Sequence, residues 1–211
     1  MAKTQGERSE ATIGELVAAA GALFRAHGYA ATSIEDIVER AGVTRGALYH
    51  HFAAKQDVFR AVVEEAEQQL VASLAQAVGA GRDAWERLCA GCHAFLEACL
   101  DPGFQRVVLL DAPAVLGWAA WREVESRYGL GLVRQGIEAA MAEGHLTARS
   151  AETLAHLLLA ALNEGALLIA GADDPRRKIG EVRQEIDDLL ASLRRNTTRR
   201  RTARRAPARR R

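Results

Sequence analysis

TRGALYHHF, Thr44 to Phe52, is the stretch on which the reading of this chain turns. At about 100° per residue a helix here has two unlike sides. Leu48 and Phe52 fall together, with Thr44 and His51 near them. Arg45, Gly46, Tyr49 and His50 fall on the opposite arc. One side can anchor in a small core. The other presents a guanidinium, a bare patch of backbone, a phenol and an imidazole. Gly46 costs a helix about 1 kcal/mol relative to Ala, so a use for it has to be sought.

The flanks give the stretch a setting. Ile13, Leu16, Val17, Ala20, Leu23 and Phe24 make one apolar face of a first helix, which Gly28 stops. In "TSIE", Thr32 is expected to cap a second helix, with Glu35 bonding back as its capping box. That helix runs through Ile37 and Val38 to Ala41, and Gly42 breaks it. Thr44 then caps a third, and Lys55 opens a fourth that reaches about Ala77. Two short helices joined by a tight glycine turn, after a longer one, outline a helix-turn-helix.

The chemistry of the open arc suits DNA. Arginine binds a guanine edge through two hydrogen bonds. Glycine lets backbone come close. Tyrosine, histidine and the N–H groups of a helix start donate to phosphate. Two plainer readings stand beside this one: Tyr49 as a packing residue, and His50 with His51 as metal ligands. Adjacent histidines point about 100° apart on a helix and chelate poorly. No metal and no cofactor is expected.

Residues 11–60, and above all "ALFRAHGY", "TS", "AGVTRGALYHHF" and the Lys55 that follows, closely resemble the DNA-binding domain of the TetR family of bacterial transcriptional regulators. The resemblance implies an all-α homodimer, with an N-terminal three-helix DNA-binding head and a C-terminal helical domain for ligand binding and dimerisation. By position in the motif it implies that Thr32, Thr44, Arg45, Gly46, Tyr49, His50 and Lys55 lie at the DNA. A near-palindromic double-stranded operator and an unidentified small-molecule effector are the expected partners. The expected divisions are 1–54 for the head, 55–195 for the sensor and 196–211 for a disordered tail.

Composition agrees with helices packed on helices: Ala and Leu dominate, with four Pro in 211 residues and no alternating run of β-branched residues. Charge is divided unevenly. Ten of the 28 Lys and Arg lie in 194–211, and none of the 27 acids do, which leaves residues 1–193 at about −9. A tail of that kind cannot build a core and attracts nucleic acid without sequence preference. No secretory leader is apparent in "MAKTQGERSEATIGE", and three Cys suit a reduced cytoplasmic protein. Leu154 to Ala172 is long and apolar, but Asn163 and Glu164 at its centre favour a buried helix over a membrane span.

The second half reads as a sensor with blurred chemistry. Cys89, Cys92, Leu96 and Cys99 form a stripe on a helix within Asp83 to Leu100. Buried free thiols are one reading; a thiol redox switch acting on DNA binding is the alternative. "CAGCH" imitates a haem-attachment pattern by accident, and Cys89, Cys92 and His93 share a face without enough further ligands for a metal. Around Pro113, the residues Asp111, Trp118, Trp121 and Arg122, together with Cys92, are expected to line a ligand pocket. Helices over about 151–171 and 176–195 are the expected dimer interface, the first apolar nearly all round with a small-residue strip and the second amphipathic. No nucleophile–base pair, phosphate loop or complete metal site is visible, so no enzyme is expected.

Overall fold

The computed structural model describes residues 4–79 and 81–194. The Arg-rich tail expected at 196–211 lies outside them. Every regular element is a helix among the described residues; the only extended pairing there is an isolated bridge between Leu146 and Arg194.

Helix α1 (Gln5–His27) begins in a capping box of Thr4 and Glu7 and ends at Gly28, whose φ of 82° suits only glycine comfortably. Helix α2 (Ile34–Ala41) ends at the left-handed Gly42, and α3 (Arg45–His51) follows after two residues. The cap of α2 corrects the sequence reading. Ser33 accepts from the Asp36 N–H and Asp36 bonds back, so the box sits one residue later than Thr32 and Glu35. Thr32 is instead 2% exposed, with its hydroxyl donating to the Gly28 carbonyl. Glu35, released from capping, is free to face outward.

Leu48 is fully buried and Phe52 nearly so. They meet Leu16, Ala20, Phe24 and Ile37 in one core with Val58, Phe59 and Val62 from α4 (Lys55–Val78). Phe24 and Phe59 pack edge to face at 5.1 Å. The first turns of α4 therefore close the core of the small N-terminal bundle, while its later turns run on along α5 (Ala84–Ala98).

Beyond α5 the chain forms two interrupted helical runs. The first is α6 (Pro102–Phe104), a π-helical stretch Gln105–Asp111 and α7 (Ala112–Leu116). After Gly117 at φ 81° come α8 (Trp118–Glu125), a second π-helical stretch Ser126–Leu130 and α9 (Gly131–Ala142). Helices α10 (Ala151–Ala170) and α11 (Pro175–Leu193) complete the body. Their bounds agree with the sequence reading to within two residues. Helix α10 is long and apolar enough to cross a membrane by length and composition. Here it packs against α5, α9 and α11, burying Leu158, Leu162, Ala166 and Ile169, and its Asn163 side chain bonds Glu125.

Candidate functional sites

The outward arc of α3 is open, as its spacing requires. Thr44, Arg45, Gly46, Tyr49 and His50 are all exposed. The Thr44 hydroxyl caps the helix by accepting from the Ala47 N–H at 3.1 Å. The Arg45 guanidinium pairs with Glu35 of α2 and lies over the Tyr49 ring, 5.4 Å from its centre. A methyl added at Gly46 would meet only the Thr44 hydroxyl oxygen, at 3.8 Å. Nothing inside the protein therefore requires glycine there. His50 and His51 stack edge to face at 4.9 Å, and no third ligand joins them among the described residues.

Thr32 and Lys55 leave this surface. Thr32 is buried by its bond to Gly28. The Lys55 ammonium turns back at the start of α4, donating to the carbonyls of Tyr29 at 2.9 Å and Thr32 at 2.8 Å. It also stands 4.1 Å from the centre of the Tyr29 ring. Carbonyls at the α1–α2 turn are its hydrogen-bond partners in the protein alone. Spacing along a motif carries no information about such a rotamer.

A cavity of about 390 Å³ lies between α4, α5, the two π-helical stretches, α8, α9 and α10. Its wall is chiefly aliphatic and aromatic, including Leu70, Leu88, Phe95, Val108 and Leu162. Polar side chains interrupt it: Glu67, Trp121, Glu125 and Asn163 inside, with Arg87 and Gln135 also in the lining. Of the five residues expected at a ligand pocket, Cys92 and Trp121 line it. The other three are turned elsewhere, each for a visible reason. Asp111 accepts the Tyr29 N–H at 2.9 Å; Trp118 is 67% exposed; Arg122 is drawn to Glu125.

Both cavity carboxyls are held above the ordinary carboxylate range. Burial, then the charge of Glu125, raises Glu67 to about 7. Burial raises Glu125 too, against the opposing pull of Arg122 and the Asn163 amide. Neither acid was singled out from sequence. A signal existed: Glu67 stands in the apolar register of Val63, Ala66, Leu70 and Leu74, where a charge has no ordinary place. Glu125 stands one turn beyond Trp121 in the same way.

Two of the thiols, Cys92 and Cys99, are buried, and Cys89 is half-buried. All three cysteines are free. Burial pushes Cys89 up to about 11 and Cys92 and Cys99 to about 12. His93 is engaged with Asp187 at 2.6 Å rather than with a thiol. A second cluster, Asp83, Glu143 and His145, gathers its donor atoms within 4.8 Å. Its carboxylates are already in use: Asp83 caps α5, and Glu143 accepts from the Ala84 N–H and pairs with Arg87.

Two stretches of chain join the sites: α4, whose first turns close the N-terminal core and whose later turns line the cavity, and the segment around the first π-helical stretch. Val108 and Leu109 of the first π-helical segment line the cavity, and Asp111 at its end holds Tyr29 of the N-terminal bundle. Gln56 of α4 adds a bond from its amide to the Val115 carbonyl at 2.7 Å. An open helix-turn-helix joined to a helical domain with a largely apolar cavity is the architecture of a ligand-responsive DNA-binding regulator. Residues 16–62 match the profile of bacterial regulatory proteins, tetR family, and residues 85–193 that of the tetracyclin repressor-like C-terminal domain. The chain belongs to the TetR family. A solved TetR-family regulator from Pectobacterium atrosepticum is 33% identical, with a TM-score of 0.81 over 91% of this chain and 98% of its own. The Tn10 TetC protein of Escherichia coli is 27% identical over 73% of this chain and 78% of its length. The transcriptional activator FasR of Mycolicibacterium smegmatis is 36% identical over 40% of this chain, and the match spans 38% of FasR.

Proposed function

We propose that the protein is a homodimeric repressor that binds a near-palindromic operator in the cytoplasm and leaves it when a small molecule fills the cavity. The observation that carries the DNA reading is the outward face of α3. Its polar groups serve no core, and Gly46 keeps a helical penalty that no internal contact explains. Thr44, Arg45, Gly46, Tyr49 and His50 are the assigned contacts. Arg45 exchanges Glu35 for a base edge, and Tyr49 and His50 donate to phosphate.

The dimer forms through α10 and α11. Leu157, Leu167 and Leu168 of α10 and Leu189 of α11 are exposed apolar side chains on helices whose other faces are already packed. Two heads on a rigid dimer must stand about 34–36 Å apart to enter successive major grooves. A ligand that displaces Val108 and Leu109 moves Asp111 and with it the head, so spacing and ligand are linked. Reciprocity follows: operator-bound protein binds the effector more weakly by the same factor.

The thiol-switch alternative finds less support. Thiols raised to between 11 and 12 are almost wholly protonated near neutrality, and the thiolate is the reactive form. Selection of bound fragments from host DNA tests the proposal. The intact protein should enrich a near-palindrome that Arg45→Ala/Tyr49→Ala loses. Enrichment unaffected by that pair of changes would remove α3 from the interface.

A further inference from the structure

The polar groups of the cavity are unequal. Glu125 is satisfied: Arg122 donates to one oxygen and the Asn163 amide to the other. Glu67 is not. It is 7% exposed, and among the described residues it accepts no hydrogen bond and forms no ion pair. Trp121, on the same wall, has an indole N–H without a partner. A buried carboxyl without a partner is costly, and burying it again beneath an apolar ligand relieves nothing. The wall has no cation to spare for an anionic ligand. Arg122, which stands outside the wall, is engaged by Glu125, and Arg87 by Glu143.

We propose that the effector is a compact organic cation, an amine carried on an apolar or aromatic body, whose ammonium group pairs with Glu67. This rests on the reading of the cavity as the effector site. Three features fix the class. Once ionised, the unpaired acid supplies an ionic partner for a cation and repels carboxylates and phosphates. Phe95, Phe104 and Trp121 line the same space and suit both an aromatic body and a neighbouring positive charge. The volume of about 390 Å³ is near the small end of ligand cavities, which suits a compact ligand. An acceptor oxygen on the ligand would take up the Trp121 N–H. Binding then places the charge of Glu67 in a pair instead of leaving it buried alone.

The test uses the full chain and three probes of one shape: 4-phenylbutylamine, 4-phenylbutan-1-ol and 4-phenylbutanoate. Affinity is read by calorimetry for the unaltered protein, for Glu67→Gln and for Val133→Trp, which fills the cavity from its own wall. The amine should bind about tenfold or more tightly than the alcohol, and the acid most weakly. Glu67→Gln should remove the preference for the amine while the alcohol still binds, and Val133→Trp should abolish binding of both. If amine and alcohol bind equally, or the preference survives Glu67→Gln, the cation assignment falls and the cavity reading stands. If Val133→Trp, shown folded by its circular dichroism, leaves binding unchanged, the cavity reading falls and the cation assignment with it. Absence of amine binding at millimolar concentration overturns the assignment as well.

Discussion

Replacing Glu67 with Gln should change how stability depends on pH, and the size of the change follows from the cavity. The carboxyl ordinarily titrates near 4.5 and is raised to about 7 in the folded protein. Between those values the folded state keeps a proton that the unfolded chain has lost. Raising the pH therefore drains protons from the unfolded chain first, and stability falls as pH rises. The two values integrate to a loss on the order of 2–3 kcal/mol between pH 5 and pH 8. For a domain of this size that is a fall of about 5–10 °C in melting temperature. Glu125 is the charged neighbour that adds to the shift, and it remains in the variant. Melting curves of the two proteins at one protein concentration, taken at intervals from pH 5 to 8, isolate the Glu67 contribution as their difference. The variant should gain on the parent steadily across the range. Parallel profiles would mean that Glu67 is hydrated or paired in solution, and the account of an unpartnered acid would be lost.

Three further outcomes follow. Gly46→Ala should raise stability by up to about 1 kcal/mol in urea unfolding yet weaken operator binding, since an open site accepts the methyl and DNA does not; tighter operator binding would contradict the close-approach role. Asp111→Asn keeps the shape and removes the charge that accepts the Tyr29 N–H, so the variant should still bind operator and amine separately while ligand-induced release, followed by fluorescence anisotropy, weakens; unimpaired release would place the coupling elsewhere. Leu168→Glu on the exposed face of α10 should shift sedimentation from dimer to monomer without loss of helicity, and an unchanged sedimentation coefficient would move the interface off that face.

The N-terminal bundle was largely legible because its cues are local. Gly28, Gly42, the cap at Thr44 and the spacing of Leu48 and Phe52 act within a few residues, and each stands where the sequence places it. The intramolecular bonds of Thr32 and Lys55 could not be read in the sequence, because their orientation is settled by the carbonyls of a turn, a tertiary fact. In the second half, helix ends could be read but the interrupted runs could not. A π-helical turn has no residue signature of its own, and two of them decide which side chains reach the cavity. Helix α9 passed unread for a related reason: it continues a π-helical stretch instead of starting from a cap. Asp111, Trp118 and Arg122 looked like pocket residues by type. Glu67 went unremarked because an acid in a helix is unremarkable until its register is compared with the apolar residues around it.

Tyr29 is held from two directions, its N–H by Asp111 and its carbonyl by Lys55. Both holds fall on main-chain atoms. Any residue supplies the carbonyl, and any but proline supplies the N–H. The joint is therefore written in a script common to all sequences, while the recognition helix and the cavity are written in side chains. Although the packing of Phe24 and Tyr29 on Phe59 of α4 would have to be matched anew, exchanging the head or the sensor would leave these two hydrogen bonds available. A scaffold with that property can acquire new operators and new signals one at a time, each tried against a partner that already works.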